Sequence, residues 1–488
     1  FSVNALNFIW HGLHYPNSLP CRQSFIYIFL MLFVCFRAFQ YLRDIPRRHV
    51  AAAFWGSVCF VILAEKLVEQ EHFHFAVYYV AILFLAAYTG LIYLYKKRRR
   101  ELAAFLALAL VAVEAAVNTT VTSVTTTSRE AYTRDNKEVQ ALMEKLEPAE
   151  DFYRVEKKTR KTKNDGAWMN FPSVSLFSST ANADLTKFFK RMGCEASTNA
   201  YSITGSTPLV DSLLSVRYAL YSEYIPNTDL VNYIQESGGT YLYENLYTLP
   251  LGFVLPYDLA DNWQYQMENP AEVQNDLCLL LGTDDVLVPV ETEVSGSGCT
   301  FTADMAGEYY VYIQNKKVKN VKASLPSGEK NFSNVDRGYL LEMGNLSEGS
   351  RITLTPGESG ETLTAAVYRF SPRAMIQVYD RLSQSPLHLD SWRDTKLTGT
   401  VTAAESGTLF LSIPYDEGWT ITIDGQPAEG EKILEAFLSV PVEAGTHEIS
   451  LIYMPGGLIP GVVISGASAA VLVLLWIVKR RRPSQAGV

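Results

Sequence analysis

Five consecutive basic residues at positions 96 to 100 (Lys-Lys-Arg-Arg-Arg) lie between two long apolar runs. Such basic loops stay on the cytoplasmic side of a membrane. Residues 75 to 95 are therefore expected to enter the bilayer from outside, and residues 102 to about 121 to leave it again. Each run has the roughly twenty residues that a bilayer crossing needs. The polar stretch after residue 121 is therefore predicted to lie outside the cell.

Three more apolar runs predict further spans, at residues 24 to 39, 50 to 63 and 458 to 478. Arg43, Arg47 and Arg48 follow the first run, and a basic tail at 479 to 482 follows the last. All these basic clusters fit the same side, which gives five spans, a cytoplasmic C-terminus and an outer location for residues 1 to 23. Because an exported start requires earlier spans, we expect the chain to be the C-terminal part of a longer protein.

The long polar middle of the chain is large enough for two domains. Its first part combines helical patterns at 184 to 192 and 271 to 281 with a tyrosine-rich strand pattern at 241 to 249. Its second part has short strand patterns at 309 to 313, 362 to 370, 397 to 402, 408 to 413, 419 to 423 and 448 to 453. Asp424-Gly425 predicts a hairpin turn, and Ile421, Ile423, Ile449 and Leu451 are predicted core residues.

The predicted fold is a multi-span α-helical membrane bundle plus an exported ectodomain with α+β and β-sandwich regions. The expected division is an exported loop at 1–23, four transmembrane helices at 24–126, an exported α+β region at 127–285, an exported β-sandwich at 286–457, and a last transmembrane helix with a basic cytoplasmic tail at 458–488.

Composition narrows the classes of function. A formal net charge of -9 argues against nucleic acid as a partner. Cys194, Cys278 and Cys299 are the cysteines of the polar middle, and this odd number does not indicate a disulfide framework, although one disulfide stays open. The sequence has no metal-ligand spacing, phosphate loop or catalytic-triad order, so no cofactor and no metal are identified.

Several phrases spread along the chain resemble the YfhO family of bacterial membrane proteins. They are NSLPCRQSF at 17 to 25, GSTP at 205 to 208 followed by DSLLSVRY at 211 to 218, YEN at 243 to 245, PYDEGW at 414 to 419 with DG at 424 to 425, and AGTH at 444 to 447 followed by Tyr453, Pro455 and Gly461. The resemblance implies a membrane glycosyltransferase similar to the GT-C class. Such an enzyme takes a sugar from a polyprenyl-phosphate carrier outside the membrane and adds it to a cell-surface polymer such as lipoteichoic acid. In that class the catalytic acid usually lies on an early exported loop, upstream of this chain, so the catalytic residue stays unknown.

Arg22 is a cation at the expected outer headgroup level, directly before a span, with His11 and His14 nearby. A guanidinium matches phosphate bidentately, so Arg22 and the two histidines are predicted substrate-binding residues for the lipid-phosphate donor. The alternative interpretation is that Arg22 neutralises a membrane lipid headgroup and the histidines pack against neighbouring aromatic rings.

Glu114 is a carboxylate within a predicted span. It lies about 18 Å from the inner edge, because an α-helix rises about 1.5 Å per residue. A carboxylate in hydrocarbon is costly and faces protein or a wet cavity. Glu114 is therefore a predicted substrate-binding residue in a carrier or acceptor groove, with pairing to an upstream cation as the alternative.

The polar middle allows a second, non-enzymatic function, a membrane-anchored protein that binds cell-wall glycan or acts as a scaffold. Asp416, Glu417, Trp419 and Asp424 are of the types that contact sugars, because rings stack on sugars and carboxylates accept their hydroxyls. A hairpin turn and a core tryptophan explain the same residues without a ligand.

Overall fold

The structure is a computed structural model of the chain. It describes residues 8–9, 11–13, 24–67, 75–97, 99–122, 128–146, 151–257, 259–263, 265, 267–358 and 360–481. The chain forms two compact units, Phe1–Thr133 and Arg134–Val488. The described part of the first unit is helical, whereas sheet dominates the second.

The first unit is built from long apolar helices. Its helices are α1 (Ser24–Gln40), α2 (Arg47–Leu67), α3 (Phe75–Lys96), α4 (Arg100–Thr122) and the short α5 (Arg129–Thr133). Helix α3 packs on both α2 and α4. At about 1.5 Å per residue, the 22 residues of α3 reach about 33 Å, enough to cross a bilayer, whereas the 17 residues of α1 reach only about 25 Å.

The surface of these helices is apolar. The side chains of Phe29, Phe60 and Phe105 are 71%, 71% and 69% exposed, although each is a large aromatic ring. A water-soluble protein rarely exposes so much contiguous apolar surface. Among the described residues, α2, α3, α4 and the last helix are long and apolar enough to cross a membrane. Four of the five predicted spans therefore have span length, and the first is an apolar helix just below it.

The second unit contains shorter helices and a long final one. They are α6 (Asn136–Met143), α7 (Asp165–Met169), α8 (Ala183–Arg191), α9 (Pro208–Leu213), α10 (Leu259–Asn262), α11 (Pro270–Leu281), α12 (Pro372–Leu382) and α13 (Leu458–Arg481). The predicted helical patterns at 184 to 192 and 271 to 281 correspond to α8 and α11. Helix α11 begins with Pro270 after the N-cap Asn269 and ends at Gly282, whose left-handed backbone (φ 65°) stops the helix.

The strands of the second unit follow one another closely. In chain order they are β1 (Arg154–Lys157), β2 (Leu176–Phe177), β3 (Ala196–Ser197), β4 (Ala200–Tyr201), β5 (Val216–Tyr221), β6 (Val231–Ser237), β7 (Thr240–Asn245), β8 (Gly252–Leu255), β9 (Leu287–Val290), β10 (Thr292–Ser295), β11 (Gly298–Thr302), β12 (Gly307–Ile313), β13 (Asn320–Leu325), β14 (Gly328–Ser333), β15 (Leu341–Leu346), β16 (Arg351–Pro356), β17 (Ala365–Phe370), β18 (Leu387–Arg393), β19 (Lys396–Ala403), β20 (Gly407–Pro414), β21 (Trp419–Ile423), β22 (Gln426–Ala428), β23 (Glu431–Ile433), β24 (Phe437–Val442) and β25 (Gly445–Tyr453).

The first part of the second unit is an α+β arrangement. Its main sheet has the order β1-β5-β7-β6, in which β1 and β5 are parallel and the other neighbours antiparallel. The predicted tyrosine-rich strand at 241 to 249 is β7, which ends earlier, at Asn245. A small sheet, β2-β4-β3, lies beside α8.

The next part is a β-sandwich. One sheet has the order β10-β11-β16-β13-β14 and the other β15-β12-β17-β9. Their inner faces share one core, in which Phe301 and Ile352 from the first sheet meet Tyr309 and Val311 from the second. Alternating buried and exposed residues along β13 and β16 place one face of the first sheet in that core. Strand β12 of the second sheet is buried on both faces.

A second β-sandwich follows, so the predicted single sandwich at 286–457 is in fact two. Its sheets have the orders β18-β19-β25-β21-β22 and β23-β24-β20-β8. Three of the predicted core residues, Ile421, Ile449 and Leu451, are buried in its core, and Ile423 is half-buried. Strand β8 comes from the region predicted as 127–285, so this sandwich draws on both predicted regions.

The turn between β21 and β22 confirms the hairpin predicted from Asp424-Gly425. Ile423 pairs with Gln426, and the two residues between them have φ values of 52° and 75°. Positive φ at both central positions is the geometry of a type I′ turn, which glycine and aspartate favour.

A third core joins the parts of the second unit. It combines Phe189 on α8, Leu277 on α11 and Val378 on α12 with Phe253 on β8 and Phe437 on β24. The helices therefore pack against a sheet of the second sandwich and hold the α+β part and that sandwich together.

Candidate functional site

Glu114 of α4 has a partner on the neighbouring helix α3. The hydroxyl of Tyr88 donates a hydrogen bond to Glu114 Oε2. The Glu114 side chain is exposed on the surface of the first unit, whereas Tyr88 is half-buried. A hydrogen-bond donor on the adjacent span lowers the cost of a carboxylate at membrane depth. The pair thus forms a polar point on an otherwise apolar helix surface.

Lys96, the first residue of the basic block, fixes two basic loops at one end of the first unit. Its Nζ donates to the carbonyl oxygens of Leu42 and Arg43, at 2.7 and 3.1 Å. The Tyr93 hydroxyl, one turn earlier, donates to the carbonyl of Arg47 at 3.3 Å. The loop between α1 and α2 and the loop between α3 and α4 therefore lie on the same side, as the sequence predicted.

The remaining predicted substrate-binding residues lie at the start of the chain. His11 is half-buried in a short turn at residues 11–13. Arg22 and His14 lie outside the described residues, so the predicted grouping of Arg22 with the histidines stays a prediction. The described contact of Glu114 is with Tyr88, a residue that the sequence did not single out.

Three of the four residues considered for sugar contact in the polar middle, Asp416, Trp419 and Asp424, have structural roles. Asp416 accepts from the Gly418 amide at 2.8 Å, and Trp419 packs its ring 4.9 Å from that of Tyr453. Asp424 accepts from the Glu448 amide and contacts His447 Nδ1, both at 2.8 Å. These contacts fix turns and a ring pair within the second sandwich.

The half-buried Arg154 fastens the α+β part to the second sandwich. Arg154 donates to the Leu214 carbonyl at 2.7 Å, and to the hydroxyl and carbonyl of Ser412 at 2.9 and 2.8 Å. Burial lowers the pKa of Arg154 to about 10. Lys158 pairs with buried Asp211 at 3.0 Å. Because these groups are paired inside the unit, their role is to position the sheet.

A polar cleft of about 320 Å³ opens in the second unit. Its wall includes Arg217, whose Nε donates to Glu244 Oε1 at 2.9 Å, together with Tyr379 and His388. Carboxylate, guanidinium and phenol groups of this kind bind sugar hydroxyls. Among the described residues no group of His, Cys, Asp and Glu has the arrangement of a metal site.

These features define a membrane protein with several apolar spans and a large β-rich unit. The family model "Bacterial membrane protein YfhO" matches residues 1–288 and 290–465. The chain belongs to this family, which confirms the resemblance found in the sequence phrases.

A curated relative is similar over a short stretch. "Uncharacterized protein YfhO" of Bacillus subtilis (strain 168) is 28% identical over 93 residues, which is 19% of this chain and 11% of that protein. The chain thus matches about a tenth of the length of this relative.

Solved structures give only weak likenesses. Two structures of arabinofuranosyltransferase AftD from mycobacteria have TM-scores of 0.14, with 10% and 8% identity. They cover 29% and 53% of this chain and 12% and 28% of theirs. A cupin 2 conserved barrel domain protein from Leptotrichia buccalis has a TM-score of 0.10 and 12% identity, covering 35% of this chain and 89% of its own. At such TM-scores these likenesses support no conclusion about activity.

Proposed function

We propose that the chain is part of a membrane glycosyltransferase that moves a sugar from a polyprenyl-phosphate carrier to a cell-surface polymer such as lipoteichoic acid. Membership of the YfhO family supports this class of activity. The observation that carries the proposal within this chain is the Tyr88–Glu114 pair on adjacent spans. An ionisable residue at membrane depth is by default a functional residue, because hydrocarbon penalises it strongly.

In this proposal the β-rich unit lies outside the cell and the C-terminus inside. The two basic loops that Lys96 holds together support this orientation, since basic loops stay in the cytoplasm. Residues that follow α4 then emerge on the outer side, where lipid-linked donors deliver their sugar.

The chemistry assigned to this chain is binding rather than proton transfer. Arg22, at the outer headgroup level, holds the phosphate of the donor through charge-assisted hydrogen bonds. Glu114 and Tyr88 line the groove beside the lipid tail or the acceptor. The catalytic acid is not assigned to any residue of this chain.

The test is sugar transfer to the surface polymer by the full-length protein at matched membrane expression. A charge-assisted contact contributes about 1.5 to 3 kcal/mol, so we expect Arg22→Ala to reduce transfer about ten- to a hundredfold. Arg22→Lys keeps the charge but loses the planar fork and should give an intermediate rate.

Glu114→Gln and Tyr88→Phe test the intramembrane pair. If Glu114 lines the groove, Glu114→Gln should reduce transfer as much as Arg22→Ala, and Tyr88→Phe should reduce it less. Tyr78→Phe is the matched control, because Tyr78 is another half-buried tyrosine of α3. Full transfer in Glu114→Gln would mean that the carboxylate only balances a neighbouring charge.

The alternative function is a membrane-anchored protein that binds cell-wall glycan or acts as a scaffold. The polar cleft beside Arg217 favours it, because its lining suits a sugar chain. Absence of any transfer by the unmodified full-length protein, together with retention of surface glycan, would favour this function over the transferase.

A further inference from the structure

Four of the nine residues that line a second cleft in the β-rich unit are basic. The cleft encloses about 410 Å³. We call it the basic cleft and define it by the cations Lys190, Arg191, Lys316 and Arg337, the tyrosines Tyr265 and Tyr312, and Glu268. Four cations thus face one carboxylate along its wall.

The four cations come from separate parts of the fold. Lys190 and Arg191 are in the last turn of α8, Lys316 follows β12, and Arg337 ends a short 3₁₀ turn, Val335–Arg337. The whole chain carries a net charge of -9, so an excess of positive charge at one place is not a consequence of overall composition. Like charges that converge repel one another, which favours an anion between them.

The carboxylates nearby neutralise only part of this charge. Arg191 Nη1 contacts Glu435 Oε1 at 2.8 Å, so this guanidinium has one carboxylate partner. Arg337 contacts Glu195 at 3.1 Å, but Arg160 and Lys163 contact the same carboxylate, at 2.8 and 3.0 Å. One negative charge is therefore shared by three cations. Lys316 lies 3.7 Å from Glu268, and both side chains are mostly exposed, so this pair is weak.

Tyr265 provides an independent sign of a ligand. The residue is only 9% exposed, and its hydroxyl has no hydrogen-bond partner among the residues that the structure describes. The guanidinium of Arg191 lies over its ring, 5.2 Å from the centroid. The hydroxyl of Tyr312, in contrast, donates to the Glu268 carbonyl at 3.0 Å. Buried hydroxyls are nearly always paired, so an unpaired one at a cation-lined cleft indicates an acceptor from outside the chain.

The donors that line the basic cleft limit the kind of ligand that can bind there. Burial raises the pKa of Tyr265 well above its ordinary value, so its hydroxyl remains a proton donor at neutral pH. Two guanidinium groups, two ammonium groups and a phenol are all donors, and together they match the oxygens of a phosphate. The exposed side chains of Lys190 and Lys316 leave the cleft open to a chain that continues beyond it.

We propose that the basic cleft binds a phosphate group of a phosphodiester-linked surface polymer. The role of the basic cleft in holding the acceptor polymer during sugar transfer rests on the proposed function. The binding of a phosphate group by the cleft does not. The same donors would also bind free inorganic phosphate, so the experiment compares the polymer with inorganic phosphate.

The experiment measures binding to the full chain, purified in detergent, by calorimetry. The probes are a poly(glycerol phosphate) oligomer, sn-glycerol 3-phosphate, inorganic phosphate and glycerol. We expect the oligomer to bind most tightly, glycerol 3-phosphate and phosphate more weakly, and glycerol not at all. Affinity should fall as salt rises from 0.05 to 0.5 M (about 14 to 4 Å of Debye screening), because the contacts are charged.

Substitutions locate the binding. Lys190→Glu with Lys316→Glu should lower affinity for the oligomer more than tenfold, and these exposed side chains leave folding unchanged. Tyr265→Phe should lower affinity about threefold without lowering the melting temperature, since it removes only the unpaired hydroxyl. Lys396→Ala, an exposed lysine of β19, is the control and should bind normally.

Unchanged oligomer affinity in the Lys190→Glu/Lys316→Glu protein would overturn the proposal. Equal affinity for inorganic phosphate and for the oligomer would overturn the polymer as the ligand. Sugar transfer without oligomer binding would overturn the proposed role of the basic cleft but not the proposed transferase function. Oligomer binding without any sugar transfer would support the proposed role of the basic cleft and count against the proposed transferase function.

Discussion

Glu308 on β12 is a carboxylate placed among other charges. It accepts a hydrogen bond from the Tyr310 hydroxyl at 3.2 Å, and Glu342, Asp211, Lys158 and Tyr221 are its charged or titratable neighbours. Burial, followed by repulsion from Glu342, raises the pKa of Glu308 to about 7. The carboxyl is therefore partly protonated near neutral pH in the folded protein.

This shift predicts a pH dependence of stability. An unfolded glutamate has a pKa of about 4.3, so the folded state binds the proton more tightly. The stabilisation is complete below pH 4.3 and is lost as the pH rises through 7, a change of at most about 4 kcal/mol. We expect Glu308→Gln, a mimic of the protonated form, to reduce the fall in melting temperature between pH 5 and pH 8. Thermal unfolding of the full chain in detergent, at pH 5 and at pH 8, measures this fall in melting temperature.

The matched control is Glu348→Gln, which changes an exposed glutamate in the turn after β15. It should leave the pH profile as it is in the unmodified protein. A Glu308→Gln profile parallel to that of the unmodified protein would show that Glu308 does not keep its proton.

Helix α8 serves both a core and the basic cleft. Leu185, Phe188 and Phe189 on one face are buried, while Lys190 and Arg191 in its last turn line the cleft. Cations there also interact favourably with the helix dipole. At the other end, Asn182 caps the helix by accepting from the amides of Asp184 and Leu185, at 2.8 and 3.1 Å.

We therefore expect Asn182→Ala to lower the free energy of unfolding by about 1 kcal/mol, because it leaves two amides without their acceptor. Asn182→Asp keeps an acceptor at the cap and should be close to the unmodified protein. Thermal unfolding of the two variants checks this prediction. Equal destabilisation in both would show that the asparagine amide group, not the cap acceptor, is what matters.

Elements with a clear local pattern were predictable. The alternation in Trp419–Ile423 identifies β21 with its observed bounds, and the apolar runs identify the spans. Strand β8 escaped prediction because Gly252–Leu255 is a four-residue segment without periodicity, next to Pro250 and Pro256. Strand β8 forms because it pairs with β20. The residues of β8 alone do not indicate this pairing.

The Tyr88–Glu114 pair and the basic cleft were predictable only in part, because each depends on partners that a local sequence pattern does not contain. A carboxylate inside an apolar run marks Glu114, but its partner depends on how two helices are rotated against each other. The cations of the basic cleft come from positions 190 to 337, and no spacing links them. Such sites are found only in the folded structure, which shows that residues far apart in the sequence lie together.

The basic clusters predict how the whole chain is arranged across the membrane. We expect a cysteine at Ser128 or Ser406 to be labelled from outside intact cells, and one at Ser484 only after permeabilisation. The background should lack the six native cysteines, two of which, Cys35 and Cys59, are exposed on α1 and α2. Because basic loops resist export, this pattern is the one that the clusters dictate.

In the same cysteine-free background, a single cysteine that replaces Lys396 provides a second outer reference within β19. Labelling at Ser484 in intact cells would overturn the orientation and with it the placement of the sugar donor.

The contact between Arg154 and Ser412 also governs how the chain comes to be folded. The two residues are 258 positions apart. At about 5 to 20 residues per second, synthesis presents the arginine roughly 15 to 50 seconds before the group that completes its hydrogen bonds. During that interval the guanidinium has its Leu214 partner but lacks both groups of Ser412, and the face of the first sheet that meets the second sandwich is uncovered. We therefore expect nascent chains to be most prone to association before the second sandwich has been made.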